Sequence, residues 1–225
     1  MSGGAGGRPA REARGEAGRI PAPGPAVGAL VLAAGRSTRM GDANKLLATL
    51  DGLPFVVRVA EAALAARVAQ VLVVTGHEAE RIEAALAGRP VSFAFNRHFA
   101  QGMATSIRCG LAALRQDLEA AVVLLGDMPR VTAGAVDRLV AAFDPADPRI
   151  VVPVREGRRG NPVLWPRRYF REMLELTGDA GARGLIGRHA DRVTAVPFET
   201  DAIFADADTP EALAALGAAP GEPAR

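Results

Sequence analysis

Lys45 is the single lysine among the 27 lysines and arginines of this chain. An ammonium is a compact point charge on a flexible stem, whereas a guanidinium is a broad planar fork. A chain so biased toward arginine therefore marks Lys45 as a position where shape as well as charge matters. Lys45 lies near the end of LAAGRSTRMGDANKLL, residues 32–47. Gly35 and Gly41 let the backbone of that loop approach a ligand closely, and backbone N–H groups in such loops cradle phosphate oxygens. Arg36, Arg39 and Lys45 add enough positive charge to offset the negative charge of a triphosphate. The segment is neither G-x-x-x-x-G-K-[ST] nor G-x-G-x-x-G. An ordinary glycine-containing turn with surface arginines would show the same spacing.

Carboxylates form the second group. AAVVLLGDMP ends an apolar run in Asp127, and AIFADADTPEAL ends another in Asp206 and Asp208, two residues apart and so on one face of an extended chain. Oxygen ligands from Asp127 and this pair suit Mg²⁺, which usually takes one or two carboxylates plus substrate phosphates. The plainer alternatives are a turn or N-cap aspartate at 127 and a helix cap at Asp208 or Thr209. Three further segments read as substrate loops. NRHFAQGMATSIRCGL, residues 96–111, sets Gly102 and Ser106 at a helix start, where N–H groups can receive an anion. GRRGNPVLW, residues 157–165, and TGDAGARGL, residues 177–185, are rich in glycine, and each also fits a plain hairpin or helix entry.

The elements that position these loops alternate. Val27–Ala33, Gln70–Thr75, Val91–Phe95, Ala120–Leu125 and Arg149–Pro153 are apolar on both faces, as parallel strands covered by helices are. Helical patterns fall at about 54–67, 77–87, 103–116, 132–143, 166–175 and 209–216, with Ile107, Leu111 and Leu114 forming one face of the third. The alternation predicts an α/β fold, a doubly wound and mostly parallel sheet. Strand-like runs near 161–165 and 192–205 extend it and provide room for an antiparallel member. Ligands of such sheets bind beyond the carboxyl ends of the strands, where the loops above lie.

Composition narrows the class. An apolar share of 49% fills a sizeable core, and no run reaches the ~18 apolar residues of a membrane span. The net charge of +2 is spread along the chain with no basic stripe for nucleic acid. Cys109 alone excludes an internal disulfide and fits a reducing compartment, so a cytoplasmic location is expected. Residues 1–26 are rich in Gly, Ala, Pro and Arg and lack apolar periodicity, which predicts a disordered tail without a secretory h-region. One domain is expected over 27–216, with a short frayed tail over 217–225.

Taken together, LAAGRSTRMGDANKLL, VVTGHEAE, QGMATSIRCGL, LLGDMPRVT, GNPVLW, GDAGARGL and DADTPEAL resemble the MobA-like nucleotidyltransferases that finish molybdenum cofactor, most closely the molybdenum cofactor cytidylyltransferase branch. These elements stand in the family's order across about residues 28–216. The resemblance implies a Rossmann-like three-layer α/β/α sandwich. It implies that Gly35, Arg39 and Lys45 hold the triphosphate and that Asp127, aided by Asp208, binds Mg²⁺. The nucleotide site is expected to include Leu32, Ala33, Ala34, Ser37, Thr75, Gly76, Gly102 and Ser106. Asn161, Pro162, Gly178, Asp179 and Gly181 are expected on the acceptor side. One departure is Pro54-Phe55-Val56, where relatives more often carry leucine after the proline.

The chemistry so implied is attack by an acceptor phosphate on the α-phosphorus of CTP, with pyrophosphate released. Lys45 and Arg39 would stabilise the leaving group, and an ionised phosphate nucleophile needs no general base. The expected partners are CTP and a phosphorylated pterin, together with a molybdoenzyme or its chaperone. Guanylyl transfer, another phosphorylated acceptor, or a non-catalytic accessory protein of a molybdoenzyme remain as rival readings at this stage. A dinucleotide oxidoreductase is disfavoured by the absence of G-x-G-x-x-G.

Overall fold

A computed structural model describes residues 25–36, 44–179, 181–206 and 210–217. In chain order the first half contains β1 (Val27–Ala33), β2 (Thr49–Leu50), β3 (Leu53–Pro54), α1 (Phe55–Leu64), β4 (Gln70–Thr75), α2 (Ala79–Ala85), β5 (Ser92–Phe95) and α3 (Met103–Ala113). The second contains β6 (Ala120–Leu125), α4 (Ala133–Ala141), β7 (Ile150–Arg155), β8 (Arg158–Arg159), β9 (Val163–Pro166), α5 (Phe170–Leu174), α6 (Arg183–Arg188), β10 (Val193–Pro197) and α7 (Pro210–Ala215).

The main sheet has the order β10-β7-β9-β6-β1-β4-β5, with β8 paired to β7. β1 lies at its centre, parallel to both β4 and β6, so that Leu30 stands between Leu72 and Val123. β9 runs antiparallel to β6 and β7, while β10 is parallel to β7. Burial on both faces follows from side-chain alternation. Ala29, Val31 and Ala33 pack with α1, α2 and α4 through Val59, Ile82 and Leu139. Leu30 and Leu32 pack with α3, α5 and α6 through Ile107, Met173 and Leu185. The fold is therefore a Rossmann-like α/β/α sandwich with a mostly parallel sheet.

Local signals account for the elements. Thr132 caps α4, its hydroxyl accepting from the Ala135 amide at 3.2 Å. Ile107, Leu111 and Leu114 line the buried side of α3, as their spacing predicts. Phe55 is fully buried at the start of α1 and packs with Leu213 and Leu216, so the Pro54-Phe55 departure contributes to packing against α7.

One expectation needs adjustment, and two alternatives left open are decided. The run at 192–205 is a strand only over Val193–Pro197, after which Thr200 accepts from Ala202 N and starts a 3-10 turn at Asp201–Ile203. The segment read as a loop at 177–185 leads into α6. Gly184 and Gly187 lower its helix propensity, and burial of Leu185 and Ile186 restores it. Residues 155–159 form a tight hairpin turned by Glu156 and Gly157, both at positive φ, which is the conformation a two-residue type I′ turn needs. Among the described residues no helix is long and apolar enough to cross a membrane.

Candidate active site

The carboxyl ends of β1 and β6 lie side by side, because Leu32 pairs with Leu125. Gly126 N continues the pairing, donating to Leu32 O at 3.0 Å. The turn that follows buries Met128 to 1% exposure, and this anchors the residue before it. That residue is Asp127. It is not the cap of the next helix, since Thr132 fills that position. Lys45 enters from the opposite loop, on a 3-10 turn at Lys45–Leu47. Its Nζ donates to Asp127 Oδ2, joining groups 82 residues apart. The side chains are only 14% and 13% exposed, so water screens the pair weakly. The two residues singled out from different segments thus meet at one point above the sheet.

Sequence reasoning missed what holds the Lys45 turn. Asn44, 2% exposed, accepts from Leu46 N through Oδ1 at 3.0 Å and donates through Nδ2 to Glu78 Oε2 at 2.8 Å. Arg81 donates to the other oxygen of Glu78 at 2.5 Å. Burial by itself raises the pKa of Glu78, but the hydrogen bonds from Arg81 and Asn44 and the nearby positive charge outweigh it, leaving the carboxyl below its ordinary value. The scarcity of asparagine in this sequence was the available signal for Asn44.

The residues expected around the base occupy the ends of β1 and β4. Leu32, Ala33 and Ala34 are nearly or fully buried, and Ala34 O accepts from His77 N at 3.3 Å. Thr75 is fully buried and its hydroxyl donates to Glu83 at 3.0 Å, so its side chain serves α2. Gly76 is required by close approach: a Cβ there would lie 2.7 Å from Phe99 Cβ and 2.8 Å from Ala34 Cβ. Gly35 is exposed, and an added Cβ would meet no atom of the described residues within 4 Å. Ser37, Arg39 and Asp208 lie outside the described residues.

The start of α3 differs from the expected anion site. Met103 N donates to Asp179 Oδ1 at 3.2 Å and Ala104 N to Gly178 O at 3.0 Å. The acceptors that satisfy these amides belong to the protein, and a carboxylate sits where an anion was expected. Gly102, at φ 103°, permits this contact, since a Cβ would fall 2.5 Å from Asp179 Oδ1. Ser106 is 6% exposed and accepts from Asn96 Nδ2 at 3.0 Å, well inside the helix start. Gly102, Gly178 and Asp179 thus meet at the start of α3, while Ser106 is held separately by Asn96. Gly181, at φ 56°, packs against Met103.

Below this region a cleft of about 630 Å³ opens on the α3 side of the sheet. Leu32, Leu125, Ile107, Val163 and Trp165 give it apolar walls, and Arg158, Arg159, Arg183 and Asn161 give it polar ones. Leu125 and Asp127 are two residues apart, which brings the cleft next to the Lys45–Asp127 pair. Asn161 is fixed by its amide, which donates to Ile203 O at 2.9 Å, and a cis peptide joins it to Pro162. Asp206 is exposed. Among the described residues no three His, Cys, Asp or Glu side chains cluster as a metal site. Burial pushes the Cys109 thiol up.

The MobA-like NTP transferase domain model matches residues 29–193. The chain belongs to that family. Of solved structures, a Methanothermobacter nucleotidyl transferase, Mth528, superposes with a TM-score of 0.76 at 23% identity, covering 86% of this chain and 96% of that one. Rv0371c from Mycobacterium tuberculosis, in complex with manganese, gives a TM-score of 0.70 at 26% identity over 85% of this chain and 97% of its own. The bifunctional protein GlmU of Sorangium cellulosum is 36% identical over 125 residues, 52% of this chain and 26% of GlmU. The chain thus spans about a quarter of that curated relative. Membership of the MobA-like NTP transferase family supports nucleotidyl transfer as the reaction class, and the solved structures share the fold.

Proposed function

We propose that the chain is a CTP:molybdopterin cytidylyltransferase, transferring CMP to the phosphate of a molybdopterin-type acceptor. The observation that carries this reading is the cleft beside the Lys45–Asp127 pair. Its apolar walls, with Trp165 among them, suit a flat heteroaromatic acceptor, whereas a sugar phosphate would call for hydrogen-bonding groups on every side. Arg158, Arg159 and Arg183 supply charge for the acceptor's phosphate.

An oxygen of that phosphate attacks the α-phosphorus of CTP. A new P–O bond forms, the bond from the α-phosphorus to the oxygen bridging to the β-phosphate breaks, and pyrophosphate leaves with that electron pair. The nucleophile is already ionised, so no side chain need remove a proton. Lys45 stabilises the negative charge on the departing pyrophosphate, the role that the family resemblance also gives Arg39. Asn161 and the cleft hold the acceptor so that its phosphate meets the α-phosphorus in line.

Asp127 offers a hard divalent cation the kind of oxygen donor it takes, a carboxylate at the end of a strand, and Lys45 would yield that oxygen to the ion. Asp127 would hold Mg²⁺, with Asp208 or Asp206 as a second carboxylate. When bound, the ion supplies charge neutralisation and fixes the geometry of the phosphates. The test is pyrophosphate release with each of the four nucleoside triphosphates, with and without molybdopterin and Mg²⁺. CTP with molybdopterin is expected to give the fastest turnover. Preference for GTP would move the assignment to guanylyl transfer, and no release with any pair would favour an accessory role.

A further inference from the structure

Glu78 occupies an unusual place for a glutamate. It stands at the N-cap position of α2 with φ 50°, in the left-handed region that favours glycine and asparagine. Its side chain does not cap that helix. The carboxylate instead reaches back 34 residues to the Asn44 amide at 2.8 Å, with only 12% of the side chain exposed. Asn44 passes the constraint on, because its other end accepts from Leu46 N at 3.0 Å and so starts the turn carrying Lys45. Helix formation in α2 requires none of this. An i,i+3 pair with Arg81 could be made by an exposed glutamate in an ordinary conformation.

We propose that Glu78 and Asn44 are positioning residues for Lys45, fixing the turn from which its ammonium reaches Asp127 and the phosphates of a bound nucleotide. This rests on the reading of Lys45 as a triphosphate ligand. A lysine stem has four rotatable carbons, so the placement of its ammonium depends on how rigidly its backbone is held. The neighbouring 3-10 turn is three residues long and has little stability of its own. The Glu78–Asn44 bond fastens that short turn to the end of β4, which belongs to the rigid centre of the sheet. A displacement of about 1 Å in such a group is enough to reduce turnover substantially.

A double-mutant cycle with Lys45→Ala tests this. Glu78→Gly removes the carboxylate and suits the backbone at φ 50°. Asn44→Ser keeps an oxygen for the Leu46 amide but is too short to reach Glu78, and it carries the same test should the first variant fold poorly. Each is expected to lower kcat/KM for the nucleotide by about 10-fold in the wild-type background and by less than about 2-fold beside Lys45→Ala. An equal loss in both backgrounds, or none in either, overturns the proposal. Loss in Lys45→Ala without loss in Glu78→Gly or Asn44→Ser sinks the positioning role alone. Wild-type kinetics in Lys45→Ala itself would overturn the triphosphate reading together with it.

Discussion

In the half of the sheet formed by β6, β1, β4 and β5 every strand is parallel, whereas the half formed by β9, β7 and β10 contains a reversal at β9. The parallel half ends in loops whose charged residues, Lys45 and Asp127, meet although 82 positions separate them. The mixed half contributes Arg158, Arg159, Asn161 and Trp165, which shape a cleft without forming ion pairs with the Lys45–Asp127 site. Opposite charges are paired where strands end in register. Shape is made where the strand direction reverses and a hairpin folds back.

This contrast predicts different kinds of damage. Asp127→Asn should lower turnover by on the order of 10²-fold or more, because the charge of the Mg²⁺ that Asp127 would hold stabilises the transition state. Pyrophosphate release by the purified variant checks it, and near wild-type rates would erase the distinction between the halves. Lys45→Arg should reduce kcat/KM for the nucleotide by about 10-fold or more, since a planar guanidinium cannot occupy the same partly buried place. Steady-state kinetics with unaltered turnover and nucleotide affinity would contradict it. Arg183→Ala, on the cleft side, should raise KM for the acceptor by about 3–10-fold and leave KM for the nucleotide alone. A change confined to the nucleotide would show that the cleft belongs to the wrong substrate.

Two smaller effects concern stability. Asp179→Ala removes the acceptor of the Met103 amide and should cost about 1 kcal/mol, or ~2–4 °C in melting temperature. Calorimetry showing no shift would mean that the α3 start is satisfied without it. Glu78 is held below its ordinary pKa of 4.5 in the folded protein. Its contribution is therefore present above that value and is lost as pH falls through the lower folded one. Urea midpoints of the wild type and Glu78→Gln should differ at neutral pH and converge in acid, and a constant gap would refute that account.

The central strands were legible to the residue because β1, β4 and β6 are buried on both faces, and such burial writes a continuous apolar run. β10 and α6 were less legible. β10 is partly exposed, and α6 carries two glycines that lower its local propensity, so tertiary burial decides each. Lys45 and Asp127 announced themselves by type and by place at strand ends. Asn44 and Glu78 did not, because a short polar residue in a glycine-rich loop and a glutamate before a helix are ordinary in sequence.

The sequence by itself determined the α/β class, the strands at the centre of the sheet, and the segments from which a phosphate site is built. Hydrophobic runs and residue types are local properties, and a linear reading captures them. Only the tertiary structure decided that Asp179 fills the start of α3, that Thr75 is turned toward Glu83, and that Asn44 hangs on Glu78. Each of these is a hydrogen bond between distant positions. Such a bond depends on where two backbones come to rest, and that is set by the packing of the whole sheet and its helices.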